Sequence, residues 1–292
     1  MNILTYDIEE WFAEETIYGD RKEKYPEYDK YLGQILDTLD EKNVKGTFFC
    51  VGGLVPKYDY VIKRIDERGH EIGCHSMHHH FLNKMTYKEV LADTKEAVDA
   101  IEQLIGKKVR SYRAPAFSIG GSNKWVFNIL TECGIERDAS VFPAARDFGG
   151  FSNFPSEMPC IINHEGHIIK EFPICMASFL GSRVAYSGGG YFRFFPLSFI
   201  SSQMNKSNYA MAYFHIGDLI PESKSVMTRK EYESYFKEIG SPVNRYKRFI
   251  KANLGKKGAF GKMVSLIGKQ AFISLEESDK QVDWSKAKLI KL

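Results

Sequence analysis

Within the run His75-Ser76-Met77-His78-His79-His80, two imidazoles stand four residues apart, a separation that lets both share one face of a helical turn. Neutral imidazole is the commonest nitrogen ligand for zinc-like ions, and a pair of them needs one carboxylate to complete a three-ligand site with room for water. His78 could serve in place of His79. Carboxylates stand near the N-terminus at Asp7, Glu9 and Glu10, of which Asp7 and Glu9 share a face if the chain there is a strand. Acids just past a strand also occur as plain solvated caps. In Tyr112-Arg113-Ala114-Pro115-Ala116-Phe117 an arginine closes another apolar run; a buried guanidinium needs an acidic partner, and Asp7 is the candidate, for a structural salt bridge or for a catalytic one. His215 ends Ala212-Tyr213-Phe214-His215 and is followed by Gly217-Asp218; an imidazole there is either a satisfied core residue or a proton donor.

These groups are far apart in the chain, so only the fold can bring them together. The first half alternates short apolar runs with longer stretches of helical period, the pattern of βαβ units around a parallel sheet. Strands are expected over 3–8, 46–51, 71–75, 111–114 and 137–142, and helices over 26–43, 56–68, 86–105 and 123–133. Tyr28, Tyr31, Leu32, Ile35, Leu36 and Leu39 give the first helix its apolar stripe, Gly69 and Gly134 supply stops, and Thr86 with Glu89 is spaced as a capping box. Residues 143–196 turn rich in Gly, Pro and aromatics and read as an excursion of loops and hairpins at a barrel rim. A helix over 197–206 and a strand over 210–215 resume the pattern, and surface helices follow near 229–239 and 244–254. The acids, the histidine pair, the arginine and the last histidine each fall at the end of a different predicted strand, which is where a β/α barrel gathers its catalytic groups.

At 292 residues and 43% hydrophobic content the chain suits one α/β domain over 1–292, with its chemistry between about 3 and 218 and helices over 219–292. The net charge of +3, with Lys and Arg read as scattered, gives no nucleic-acid footprint. Five cysteines at irregular spacing suit reduced thiols, and a first strand starting beside Met1 shows no signal-peptide pattern, so the expected location is cytoplasmic. No run approaches the roughly twenty apolar residues of a membrane span.

The motifs together resemble the polysaccharide deacetylase family with the NodB-homology domain. Thr5-Tyr6-Asp7 looks like its first motif, His75-Ser76-Met77-His78-His79 its second, Arg113-Ala114-Pro115 its third and Phe214-His215 its fifth. Asp138-Ala139-Ser140-Val141-Phe142-Pro143 and Gly188-Gly189-Gly190-Tyr191-Phe192-Arg193 look like the branch found with exopolysaccharide and surface-glycan gene clusters. The resemblance implies a deformed barrel of seven or eight β/α units and a hydrolase that removes the acetyl group of an N-acetylated sugar with the help of a divalent ion, zinc by expectation. The family's first motif carries adjacent aspartates, base then ligand; here Ile8 takes the second place, so Glu9, or alternatively Glu10, becomes the ligand beside His75 and His79. After His215 the chain reads Ile216-Gly217-Asp218 where the branch often has Pro-Trp and an acid. By the same resemblance Asp7 is the base, Arg113 holds it, His215 protonates the leaving amine, and Asp138 is the candidate to orient that imidazole. Pro115, Phe117, Gly189, Gly190, Tyr191 and Arg193 are expected to shape the sugar site. The substrate could be a sugar nucleotide, a lipid-linked intermediate or a polymeric glycan. Two competing readings are a cyclic amide or imide hydrolase on the same fold and a glycan-binding protein without chemistry.

Overall fold

β1 (Asn2–Ile8) has every residue from Ile3 to Ile8 buried, as a central parallel strand covered on both faces requires. In the computed structural model, which describes residues 1–16, 20–222 and 225–292, a short helix α1 (Glu10–Thr16) follows at once. The alternation then runs α2 (Tyr25–Glu41), β2 (Thr47–Cys50), α3 (Val55–Glu67), β3 (Glu71–Cys74), α4 (Tyr87–Ile105), β4 (Ser111–Tyr112), α5 (Val126–Glu132) and β5 (Arg137–Asp138). Two hairpins come next, β6 (Cys160–His164) with β7 (His167–Glu171) and β8 (Met176–Phe179) with β9 (Ser182–Ala185). They lead to α6 (Gly189–Phe194), α7 (Leu197–Lys206), β10 (Ala210–His215) and α8 (Ile216–Leu219). The chain finishes with α9 (Arg229–Phe236), α10 (Pro242–Asn253), α11 (Ala259–Ile267), β11 (Phe272–Ile273), α12 (Leu275–Gln281) and β12 (Lys288–Lys291).

Strand order in the main sheet is β10-β1-β2-β3-β4-β5-β7-β6-β12, parallel except for the β6–β7 hairpin, with β11 pairing β1 as well. Such an order places the C-terminal ends of β10, β1, β3 and β4 along one rim, and the register sets Asp7 directly beside His215. The barrel is deformed at a seam between β7 and β10. There the chain past β7 stays on the β5 side, Phe172 N–H donating to the Asp138 carbonyl and Ile174 N–H to that of Val141, each at 2.9 Å. It reaches β10 through an isolated parallel bridge of Gly188 with Tyr213 and through side chains: Ser187 Oγ donates to the Met211 carbonyl at 2.6 Å, and Tyr209 Oη to that of Pro173 at 2.6 Å. The opposite end of the barrel is pinned by Glu71, which accepts from Thr47 Oγ1 and Ser111 Oγ and lies 3.6 Å from the Arg137 guanidinium.

Most expected elements are present with ends moved by a few residues. The Thr86–Glu89 capping box opens α4, and Gly106 closes it in the left-handed conformation. Three differences matter. The 143–196 excursion is not wholly at the rim, since β6 and β7 extend the main sheet. The last third is more than surface helices: α11 buries Ala259, Met263, Leu266 and Ile267, and β11 and β12 join the sheet. α1, unforeseen, is tied down by Trp11, whose ring meets Tyr28 edge-on at 5.6 Å, and by Glu14, which accepts from Tyr28 Oη and pairs with Arg21.

Candidate active site

Asp7 ends β1 and is almost fully buried, so its charge needs partners. Arg113, wholly buried at the end of β4, donates from Nη1 to Asp7 Oδ1 and to Thr5 Oγ1, each at 2.8 Å. Its Nε donates to the Ala139 carbonyl at 3.2 Å, and the guanidinium lies over the Phe49 ring at 4.3 Å. The planar fork is thus filled on all sides, which fixes the orientation of the carboxylate it holds. Asp7 Oδ2 faces His215, 3.7 Å from Nε2.

Two residues on, Glu9 turns its carboxylate toward the histidines: Oε2 lies 2.5 Å from His79 Nε2 and 3.8 Å from His75 Nε2. One ligand atom from each of Glu9, His75 and His79 falls within 4.8 Å of the others, the one such cluster among the described residues. His75 Nδ1 sits 2.7 Å from the Arg113 carbonyl, so that nitrogen donates and Nε2 keeps its lone pair for a ligand role. The donor set therefore fits a divalent ion. Burial alone would raise Glu9, but the nearby His79 and His215 hold it well below its ordinary value. Glu10 takes another part: its Oε1 accepts from Gly217 N–H at 2.6 Å, and burial together with the charge of Glu9 pushes it up to about 7.

The histidine pair does not sit on a helical turn as its spacing suggested. Residues 75–80 form an irregular loop in which Ser76 and His79 adopt left-handed φ of 64° and 55°, a strained choice for such residues. Asp93 of α4 enforces it, accepting from the Met77 N–H at 2.8 Å and the His78 N–H at 3.2 Å. The same carboxylate bonds His78 Nδ1 at 2.9 Å and turns that ring away from Glu9. His79, not His78, is the second imidazole of the cluster.

His215 is oriented by Asp218, not by Asp138. Helix α8 brings Asp218 Oδ2 to 3.0 Å from His215 Nδ1, and Arg193 Nη2 stands 3.4 Å from Asp218 Oδ1. Burial would lower His215, yet the carboxylates of Glu9, Asp218 and Asp7 outweigh it and push the imidazole up to about 10. Asp138 lies fully buried under the rim, accepting from Ser140 Oγ at 2.5 Å; burial pushes it up to about 6. It neighbours the equally buried Glu171, whose carboxyl burial and the charge of Asp138 also raise well above its ordinary value, and the pair belongs to the barrel interior.

Asp7, Glu9, Glu10, His79, His215 and Asp218 open into one cleft of about 820 Å³, within the range of small-ligand pockets. Gly189, Gly190 and Tyr191 line it as expected, and so does Phe117, held at φ 55°. Pro115 is buried, and the wall beside it is formed by Ala114, Ala116 and Phe117. Arg193 reaches the cleft but is nearly buried and committed to backbone, donating to the carbonyls of Ala252 at 2.5 Å and Lys251 at 2.8 Å; its task is to hold Asp218 and the neighbouring chain. Tyr235, stacked 6.0 Å from His79, and Arg146 were not foreseen; nothing in their sequence surroundings marks them.

Residues 22–137 match the family model described as polysaccharide deacetylase. A peptidoglycan-N-acetylglucosamine deacetylase of Bacillus cereus is 33% identical over 121 residues, which cover 40% of this chain and 44% of that one. Both support the polysaccharide deacetylase family. A peptidoglycan-N-acetylmuramic acid deacetylase of Bacillus subtilis is 33% identical over 104 residues, 33% of this chain and 40% of its own. The chain thus spans under half the length of these relatives. The deacetylase match contains His75, His79 and Arg113, whereas Asp7 and Glu9 precede it; residues 139–277, with His215 and Asp218, match a domain of unknown function, DUF3473. Among solved structures, a Mycobacterium smegmatis protein described as a polysaccharide deacetylase aligns with 100% of this chain and 92% of its own at a TM-score of 0.63 and 16% identity. A 4-alpha-glucanotransferase of Thermococcus litoralis aligns with 100% of this chain and 42% of its own at 0.56 and 14% identity. The barrel is shared, and fold alone does not choose between such chemistries.

Proposed function

We propose that this chain, acting as one barrel domain over 1–292, hydrolyses the N-acetyl group of an N-acetylated sugar and releases acetate. The observation that carries the reading is the placement of Glu9, His75 and His79 around one point beside an Arg113-held Asp7 and an Asp218-held His215. A divalent ion held by those three residues, zinc by the preference of a carboxylate and two imidazoles, would polarise the acetamide carbonyl and acidify a water. Asp7, with Oδ1 committed to Arg113, offers Oδ2 as the base that takes the proton of the attacking water. As the carbon–nitrogen bond breaks, His215 gives its proton to the nitrogen, since an amide anion is too basic to leave unaided. Asp218 bonds the other ring nitrogen and keeps Nε2 toward the cleft.

The further assignments are a place in surface-glycan synthesis, in the branch associated with exopolysaccharide gene clusters, and a cytoplasmic location. All five cysteines are free, which suits a reducing compartment, and no described helix is long and apolar enough to cross a membrane. The test is acetate release from N-acetylglucosamine oligomers, run beside ring-opening assays on cyclic amides and imides. Acetate release lost on chelation and restored by zinc is expected. Full release from metal-free protein, or ring opening alone, would overturn the reading.

A further inference from the structure

Residues 239–275 contain eight Lys and Arg and no Asp or Glu, while elsewhere 32 Lys and Arg face all 37 acids of the chain. The basic residues are therefore not scattered, and the small net charge hides a cationic segment set against an acidic remainder. Within that segment α10 buries none of its residues. Ile239, Val243, Tyr246, Ile250 and Leu254 are 73%, 62%, 58%, 59% and 51% exposed, and their spacing of three and four puts them along one face. Lys247 and Lys251 are exposed beside them.

The helix is held by its other side. Arg248 lies over the rings of Phe148 at 4.3 Å and Phe236 at 4.7 Å, Arg245 donates to the Met227 carbonyl, and Arg193 grips the carbonyls of Lys251 and Ala252. A surface helix of a globular domain ordinarily buries its apolar stripe and shows its polar side to water. Here the arrangement is reversed. An exposed apolar stripe flanked by cations is the face an interfacial helix presents to lipid, with the chains entering the acyl boundary and the lysines meeting anionic headgroups. A second copy of this chain would bring an equally cationic segment, its neighbouring Asp147 already paired with Arg248 and Lys251, and be repelled.

The stripe adjoins the active-site cleft, whose wall includes Phe249, Ala252, Leu254 and the exposed Phe194. We propose that α10 rests in the surface of an anionic lipid bilayer and that the cleft beside it receives a lipid-linked glycan; the second clause rests on the deacetylase reading above. A glycan tethered to lipid can then reach Asp7 and His215 without its anchor leaving the bilayer.

The test is flotation of the full chain with vesicles of phosphatidylcholine alone and of phosphatidylcholine mixed equally with phosphatidylglycerol. Flotation with the anionic vesicles only is expected, weakened about 5-fold by Lys247→Gln, the share of one lysine at an anionic surface. The double variant Val243→Asn, Ile250→Asn should abolish it while leaving acetate release from a soluble N-acetylated oligosaccharide unchanged. Equal flotation with both vesicles, flotation with neither, or a dimer broken by the double variant without vesicle binding overturns the proposal. Flotation needs no turnover, so its failure leaves the deacetylase reading standing, and flotation without acetate release removes that reading alone.

Discussion

Replacing Asp218 by Asn tests the acid side of the mechanism, because it removes one charge and leaves a side chain of nearly the same shape. His215 stands at about 10 owing to the carboxylates of Glu9, Asp218 and Asp7 acting against burial. An ion on Glu9 neutralises much of that residue's share, leaving Asp218, at 3.0 Å from Nδ1, as a main support. An opposite charge at such a distance raises an imidazole by about 1–3 units. The His215 side chain is 30% exposed toward the cleft, so water screens part of the effect and about 1 unit, or ~1.4 kcal/mol, is the expected loss. A general acid works below its pKa and fails above it. The alkaline limb of kcat/KM for acetate release should therefore move to lower pH by about 1 unit in Asp218→Asn. Asp138→Asn is the control, since Asp138 bonds Ser140 and neighbours Glu171 inside the barrel. An unmoved limb in Asp218→Asn, or an equal movement in Asp138→Asn, would refute the assignment of Asp218.

Metal content by equilibrium dialysis should fall to background in Glu9→Gln and His75→Ala and be retained in Glu10→Gln, whose carboxyl bonds Gly217 instead. Asp7→Ala strands the buried Arg113 guanidinium, and urea unfolding should show a loss of about 3–5 kcal/mol; Asp7→Asn keeps an acceptor for Arg113, costs less, and still loses turnover with metal bound. Asp93→Ala frees the Met77 and His78 N–H groups from their acceptor at about 1–3 kcal/mol each, and dialysis should show weaker metal binding as the His75–His79 loop loosens. In Gly188→Ala a methyl would run into the Tyr213 ring, so thermal unfolding should report a loss of about 1–3 kcal/mol.

The strand ends were legible because parallel strands buried on both faces leave continuous apolar runs, and a polar residue closing such a run is conspicuous. Asp7, His75, Arg113 and His215 were found in that way, and the structure brings them to one rim. The choice of Glu9 over Glu10 followed from strand alternation, even though β1 has by then ended and α1 begins. What pattern could not reveal was which acid turns back onto His215. Asp218 lies three residues away on a single helical turn, while Asp138, at a strand end, looked better placed in a barrel drawn from strands alone. β11 and β12 were missed because two and four residues give too little periodicity, and the joining of the β6–β7 hairpin to the main sheet because its outer positions are only half-buried. The loop carrying both histidines was misread as helical since four-residue spacing is ambiguous until the left-handed residues are seen.

Arg113 serves the two halves of the centre with different atoms: its guanidinium grips the base and its main-chain oxygen steers a ligand imidazole. A side-chain truncation at this position therefore cuts only one of the two ties. Such a protein should still load its cation while failing to turn over, which lets ion capture and proton transfer be studied separately at a single codon.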